Sequence, residues 1–289
     1  MMNPTKGKSY RFALILVTSL FFFWGFVHNL DPILIPHLRK AFLLNDFESS
    51  LVDSAVFIAY FVMALPAGFI MRRYGYKSGI IIGLLLFGLG SILFVPAANT
   101  LQYAFFLGAL FIIACGLTFL ETAANPYVTV LGPPETATQR INFSQSFNGL
   151  AAFVAPNYIG KLILSGKELT KAQQEAMSPA QLNAYLSNEA ASVKAPYFIL
   201  GVIILIVAVI FYFTKLPDIK HEEEGETGSA SFSGTLSSIK LRWGIVAQFF
   251  YVGAQVCVGS FFIRMCTHAA GMDEKSATTY LGSMDWPLC

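Results

Sequence analysis

Apolar residues along the chain gather into seven long runs, at about 12–38, 49–71, 78–97, 101–130, 142–164, 195–214 and 243–265. A helix needs about 20 mostly apolar residues to cross the hydrocarbon core of a bilayer, so each run predicts one membrane span. Most gaps between the runs are short polar turns. Two are longer: 165–194 is polar with a helical pattern, and 215–241 is charged, rich in Gly and Ser, and carries Glu222, Glu223, Glu224 and Glu226. The second reads as a linker. The expected architecture is an all-α membrane protein with a six-helix unit over 1–214, a cytoplasmic linker over 215–241, and the seventh helix within 242–289. The terminal Ser283-Met284-Asp285-Trp286-Pro287-Leu288-Cys289 does not read as an eighth span, so a truncated or frame-shifted product is expected.

Composition agrees with lipid as the solvent: 55% of the 289 residues are hydrophobic and 12% charged, where soluble domains carry about 25% charged residues. The net charge of +2, spread over short clusters, argues against nucleic acid. Cytoplasmic loops retain Lys and Arg. With the N-terminus inside, that side holds Lys6, Lys8, Arg11, Arg72, Arg73, Lys77, Arg140, Lys215, Lys220, Lys240 and Arg242, the majority of the 19 Lys and Arg. A multi-pass protein of the inner (cytoplasmic) membrane with a cytoplasmic N-terminus is therefore expected. Lys6, Lys8 and Arg11 before an apolar run imitate a secretory signal, but further spans follow and no small-residue cleavage site closes the run. The four cysteines form no CxxC pair, so neither a disulfide framework nor a zinc site follows. His221-Glu222-Glu223-Glu224 lacks the second His of a zinc protease helix, and no GxSxG or Walker-type loop occurs. Neither an enzyme nor an ATP-driven pump is expected, and no cofactor or metal is implied.

Ionisable groups at membrane depth cost about 2.5 to 3.5 kcal/mol at a helix centre on insertion scales, and they mark function by default. Glu121 lies well inside the fourth run. A carboxyl that is neutral when buried and ionised when wetted can take up and release a proton as access to it changes; the plain alternative is a carboxyl satisfied by a neighbouring helix. Asp31 stands near the end of the first run, beside Pro32 and ahead of Pro36, with His28 and Asn29 before it. Proline removes a backbone donor and loosens the helix, so exposed carbonyls with Asp and Asn side chains can bind hydroxyls or relay a proton. A carboxylate at the water interface of a helix end explains Asp31 equally well. Asp53 reads as such a solvated helix-end group, and His28 as a packing or interfacial residue.

Asn142, Gln145 and Asn148 recur every three residues in the fifth run, which places them on one helix face. Amides suit hydroxyl-rich ligands, and Gln145 is nearest mid-span; amide bonding between helices is the alternative. Trp24 and Tyr60 offer aromatic faces, though packing is the commoner role for such residues. Gly79 and Gly83 form a small-xxx-small packing pair, and Gly68 and Gly75 bracket the turn before it. Arg140 reads as a basic anchor at the inner edge of the fifth span, with gating as the other reading.

The run Glu121-Thr122-Ala123-Ala124-Asn125-Pro126-Tyr127-Val128-Thr129-Val130-Leu131-Gly132-Pro133 resembles the fourth-span signature of the fucose/galactose/glucose proton symporters of the major facilitator superfamily. The resemblance extends to Arg140-Ile141-Asn142-Phe143-Ser144-Gln145-Ser146-Phe147-Asn148, to Met177-Ser178-Pro179-Ala180-Gln181-Leu182 and to Ala247-Gln248-Phe249-Phe250-Tyr251-Val252-Gly253-Ala254-Gln255, covering about 12–281. It implies the superfamily's fold, here an N-terminal six-helix half plus one further helix, with substrate held between two halves. It further implies a hexose or 6-deoxyhexose carried with a proton: L-fucose uptake driven by the proton gradient, or glucose/galactose transport. A non-transporting membrane remnant is the reading from another class. On this resemblance Glu121 and Asp31 are the proton-coupling residues, and Asn29, Gln145, Asn148 and Asn125 the substrate-binding ones. The partners implied are sugar, proton and lipid bilayer, with no obligate protein partner. The chain departs from the family twice. Leu30-Asp31-Pro32 places the acid one residue early, about 100° around a helix, and Arg72 stands where the loop motif usually has Asp.

Overall fold

The computed structural model describes residues 7–164, 173, 175–216 and 238–285. Most of the predicted linker, including His221 and the glutamates at 222, 223, 224 and 226, lies outside the described residues, as do Lys6, Lys167, Lys171, Lys220 and Trp286 to Cys289. The described elements are helical throughout. In chain order they are α1 (Gly7–His28), α2 (Asp31–Phe42), α3 (Asp46–Thr100), α4 (Tyr103–Val130), a 3-10 turn (Pro134–Thr136), α5 (Ala137–Val154), a π turn (Ala155–Gly160), α6 (Lys161–Ile163), α7 (Pro179–Ala191), α8 (Lys194–Phe213), α9 (Ile239–Ala270) and α10 (Glu274–Asp285).

Among the described residues, five helical stretches are long and apolar enough to cross a membrane: Arg11–Phe42, Asp46–Thr100, Tyr103–Val130, Pro179–Phe213 and Ile239–Ala270. The second is two spans in one. As a continuous helix its 55 residues would reach about 80 Å, yet the Tyr103 hydroxyl, just past its end, donates to the Glu48 carbonyl in its first turn at 2.7 Å. The reversal is at Gly75, whose φ of 82° and ψ of 166° belong to a region open essentially to glycine alone. Residues 46–74 and 76–100 are thus two arms of a hairpin. With the α5–α6 stretch over 137–163, which runs beside α1, the crossings agree with the seven predicted.

Boundaries depart from the sequence expectation in three places. The first span is not one helix but α1 and α2, broken at Asn29 and Leu30, where Pro32 withholds a backbone donor. The fifth begins at Ala137 rather than near 142 and widens into the π turn at Pro156. Within the polar 165–194 segment, α7 is a helix started by a reciprocal cap, Ser178 accepting from the Gln181 amide while the Gln181 side chain accepts from Ser178. Asn45 and Glu48 start α3 in the same way.

The core forms where α3, α4 and α8 meet and where α1 lies on α4 and α5. Close approach at the first of these depends on small residues: a Cβ on Gly116 would stand 2.5 Å from the Phe87 backbone nitrogen and 2.6 Å from the Gly83 carbonyl. The packing role read for Gly83 is its position in the structure. Phe94 and Tyr197 stack 4.0 Å apart and nearly parallel, joining α3 to α8. On the face where the α3 hairpin turns, Lys77 donates to the Tyr212 and Thr214 carbonyls at 2.9 Å each, capping the end of α8. The loop's basic residue latches two elements of the same unit.

The seventh span stands apart. Only 6% of the apolar window of α9 is buried, against 61% for α4, so α9 lies on the bundle's edge. It is held by α2 and, through α10, by the π turn and α5.

Candidate functional site

Glu121 lies 18 residues into α4, at mid-span, and is half-buried. Its neighbours Thr118 and Thr122 turn their hydroxyls back onto carbonyls of their own helix, of Ala114 and Thr118, and compete little for it. Tyr60, from the first arm of α3, lies beside it, and Trp24 of α1 lies beside Tyr60. An indole nitrogen can only donate, and a phenol hydroxyl can do either. Trp24 can therefore donate to Tyr60, and Tyr60 to the Glu121 carboxyl. Both aromatics also pack against the core, the commoner role for them.

Asp31 opens α2 and is 6% exposed, so it is not a carboxylate at a water interface. His28 Nδ1 is 3.9 Å from it, beyond hydrogen-bond reach, on a side chain 45% exposed. Asp53 lies within electrostatic range of Asp31. Asp53 is half-buried rather than a solvated helix-end group, and the buried Ser260 of α9 lies near its side chain. Tyr197, on α8, is fully buried and its hydroxyl has no protein partner. Sequence reasoning passed over Tyr197 and Ser260, because one hydroxyl in an apolar run carries no periodic signal.

The four residues named for sugar binding sit differently. Asn29 donates to the Gly25 carbonyl at 2.7 Å, closing the end of α1. Asn125 donates to the Glu121 carbonyl at 3.1 Å, while its side-chain oxygen is buried without a protein partner and available as an acceptor. Asn148 lies on Gly25, the residue after Trp24, where a Cβ would collide with its amide. Ser144, one turn earlier, meets the Thr18 hydroxyl at 2.9 Å. Ser144 and Asn148 therefore form the face of α5 that touches α1, and Gln145, half-buried, stands at its edge. The expectation of one shared face does not extend to Asn142. A three-residue step advances a helix by 300°, so each step drifts about 60°, and Asn142 is exposed.

Arg140 is buried in the first turn of α5. It donates to the carbonyls of Val128 (3.1 Å), Thr129 (2.6 Å) and Pro133 (2.9 Å) and to the Thr136 hydroxyl (2.5 Å). These are the orphan acceptors at the end of α4 and in the following turn, so Arg140 fixes the angle at which α5 leaves α4.

An acid bordered by a phenol, a buried second acid, and amides on the adjoining helices make a site able to hold a proton and to bind hydroxyl groups. The chain as a whole is similar to known proteins. The chain is 42% identical over 282 residues to the L-fucose-proton symporter of Escherichia coli, across 96% of this chain and 64% of that protein. It is 42% identical to the glucose/galactose transporter of Brucella abortus, across 96% of this chain and 65% of that one. The chain thus spans just under two thirds of the length of these curated relatives. Among solved structures, the transporter FucP in the outward conformation superposes with a TM-score of 0.76 at 41% identity, covering 96% of this chain and 68% of that chain. Residues 13–284 match the family model of the Major Facilitator Superfamily, and the chain belongs to that superfamily as a multi-pass, all-α membrane protein.

Proposed function

We propose that this chain supplies the first half of the binding site of a sugar:proton symporter that takes up a hexose or 6-deoxyhexose, L-fucose first and glucose or galactose next. The observation that carries the reading is an ionisable group, Glu121, well inside the apolar helix α4, with Tyr60 beside it. The 42% identity to an L-fucose-proton symporter supports it. In this reading Glu121 carries the coupled proton and Asp31 is a second protonation site. Gln145, Asn148, Asn125 and Asn29 present amides to sugar hydroxyls, with Asn125 best prepared through its free side-chain oxygen. Residues 1–214 are the six-helix half, 215–241 the cytoplasmic linker and 242–289 the start of the second half. The membrane is the inner one and the N-terminus faces the cytoplasm, as the Lys and Arg distribution argues. The activity is secondary transport, not catalysis.

The test is uptake of labelled L-fucose, galactose and glucose into proteoliposomes under an imposed proton gradient. The 289-residue chain is compared with a chimera carrying the remaining third of the E. coli relative. The chimera is expected to accumulate one of these sugars, and Glu121→Gln to abolish accumulation while sparing sugar exchange at equilibrium. A Glu121→Gln chimera that still accumulates sugar removes Glu121 from proton coupling, and a chimera that moves none of the three sinks the reading.

A further inference from the structure

On the side of the bundle away from the α3–α4 core, α1, the end of the α5–α6 stretch and the start of α8 leave a groove of about 480 Å³. Phe22, Phe26 and Leu30 form one wall, and Leu162, Ile199 and Ile203 are among the residues of the others. The lining is almost entirely apolar, with Ser192 its one hydroxyl. Leu162, Ile199 and Ile203 are exposed residues of membrane spans, so the groove opens toward lipid. From Ala195 to Ile203 it follows eight residues of helix, about 12 Å. That is close to the roughly 15 Å hydrocarbon depth of a single leaflet.

One end of the groove is polar and basic. Ser192 donates to the Ile163 carbonyl at 3.1 Å, drawing the end of α6 and the start of α8 together. Each of these segments carries a lysine directly beside a lining residue: Lys161 precedes Leu162, and Lys194 precedes Ala195. Lys161 is exposed and Lys194 half-exposed. Glu189, the acid closest in sequence to Lys194, is buried against His37.

We infer that this groove is a binding site for one anionic phospholipid of the leaflet at that face, its acyl chain between α1 and α8 and its phosphate between Lys161 and Lys194. An apolar slot one leaflet deep fits a single chain, and two cations at its mouth select a negative headgroup over a zwitterionic one. Each basic residue near a membrane surface favours anionic lipid by about fivefold, or about twentyfold for the pair.

The test measures thermal unfolding of the full chain in mild detergent, titrated with phosphatidylglycerol, with phosphatidylcholine of the same acyl chains, or with inorganic phosphate. Phosphatidylglycerol is expected to raise the midpoint at about twentyfold lower concentration than phosphatidylcholine, and phosphate to leave it unchanged. The double variant Lys161→Gln/Lys194→Gln should lose that preference. Ile199→Trp, which fills the groove and keeps both lysines, should lose the response to both lipids. Equal responses to the two lipids in the unaltered chain overturn the inference, as does a shift reproduced by phosphate alone or an undiminished preference in the double variant. Should the double variant fail to fold, the lipid ratio of the unaltered chain and the Ile199→Trp response still decide.

Discussion

The side chains that matter most are those whose polar groups have been taken out of water and given a direction. Tyr60 borders Glu121 and has a single proton to give. Removing the phenol hydroxyl takes that donor away from the acid. Tyr60→Phe is therefore expected to weaken proton-driven accumulation in the chimera by about tenfold, the scale of one lost hydrogen bond to a charged group. Passive exchange of sugar should persist, and counterflow measured beside accumulation checks the split. Arg140 is directed the other way, toward structure: its guanidinium answers four acceptors at the α4–α5 turn. Arg140→Ala is expected to lower stability by about 3 kcal/mol, since buried carbonyls left unpaired carry their full desolvation penalty. The readout is the unfolding midpoint in detergent. A fall of a few tenths would mean the turn is held by something else. Glu121 was legible in the sequence, because a carboxyl amid apolar residues has few innocent explanations. Tyr60 and Trp24 were not, since an aromatic in a membrane run looks the same whether it packs or lines a site.

At the scale of elements, hydropathy located all seven crossings but not how they are joined or broken. The turn at Gly75 is so tight that the two arms of α3 read as one helix of 55 residues. The break between α1 and α2 falls inside a single apolar run. Spacing of apolar residues records what a segment faces, whereas a reversal of direction is written in one backbone conformation. Gly75→Ala should therefore cost about 1–3 kcal/mol. Gly68→Ala, where a Cβ meets nothing within 4 Å, is the matched control and should be close to neutral. Equal unfolding midpoints for the two variants would show that the hairpin does not depend on its glycine. The π turn at Ala155–Gly160 was likewise invisible to periodicity, because one wide turn shifts the register of only the few residues that follow.

Over the whole molecule, the attachment of the seventh span contrasts with the packing of the first six. Arg39 and Arg264 share Asp46, and Lys40 meets Glu274 at 2.5 Å in a pair whose side chains are 5% and 6% exposed. The Arg264–Asp46 and Lys40–Glu274 contacts join residues more than 200 positions apart, which no local spacing could announce. Breaking a buried pair from one side strands a charge and costs about 3–5 kcal/mol, whereas replacing both partners with apolar groups is often neutral. Lys40→Met and Glu274→Met are each expected to destabilise strongly, and the double variant to recover most of the loss. Detergent unfolding of the four-member cycle measures the coupling, and strictly additive losses would deny it.

The distribution of the core along the chain has a consequence for how the protein is made. Of the fully packed core residues described, all but Ile263, Ala277 and Leu281 precede position 212. A ribosome delivers the N-terminus first, and units fold in the order they emerge. Once the sixth helix has left the insertion machinery, the six helices hold nearly every apolar partner found among the described residues. The seventh arrives at a surface already formed and is fastened there by ions and hydroxyls, so the first six can assemble before it docks.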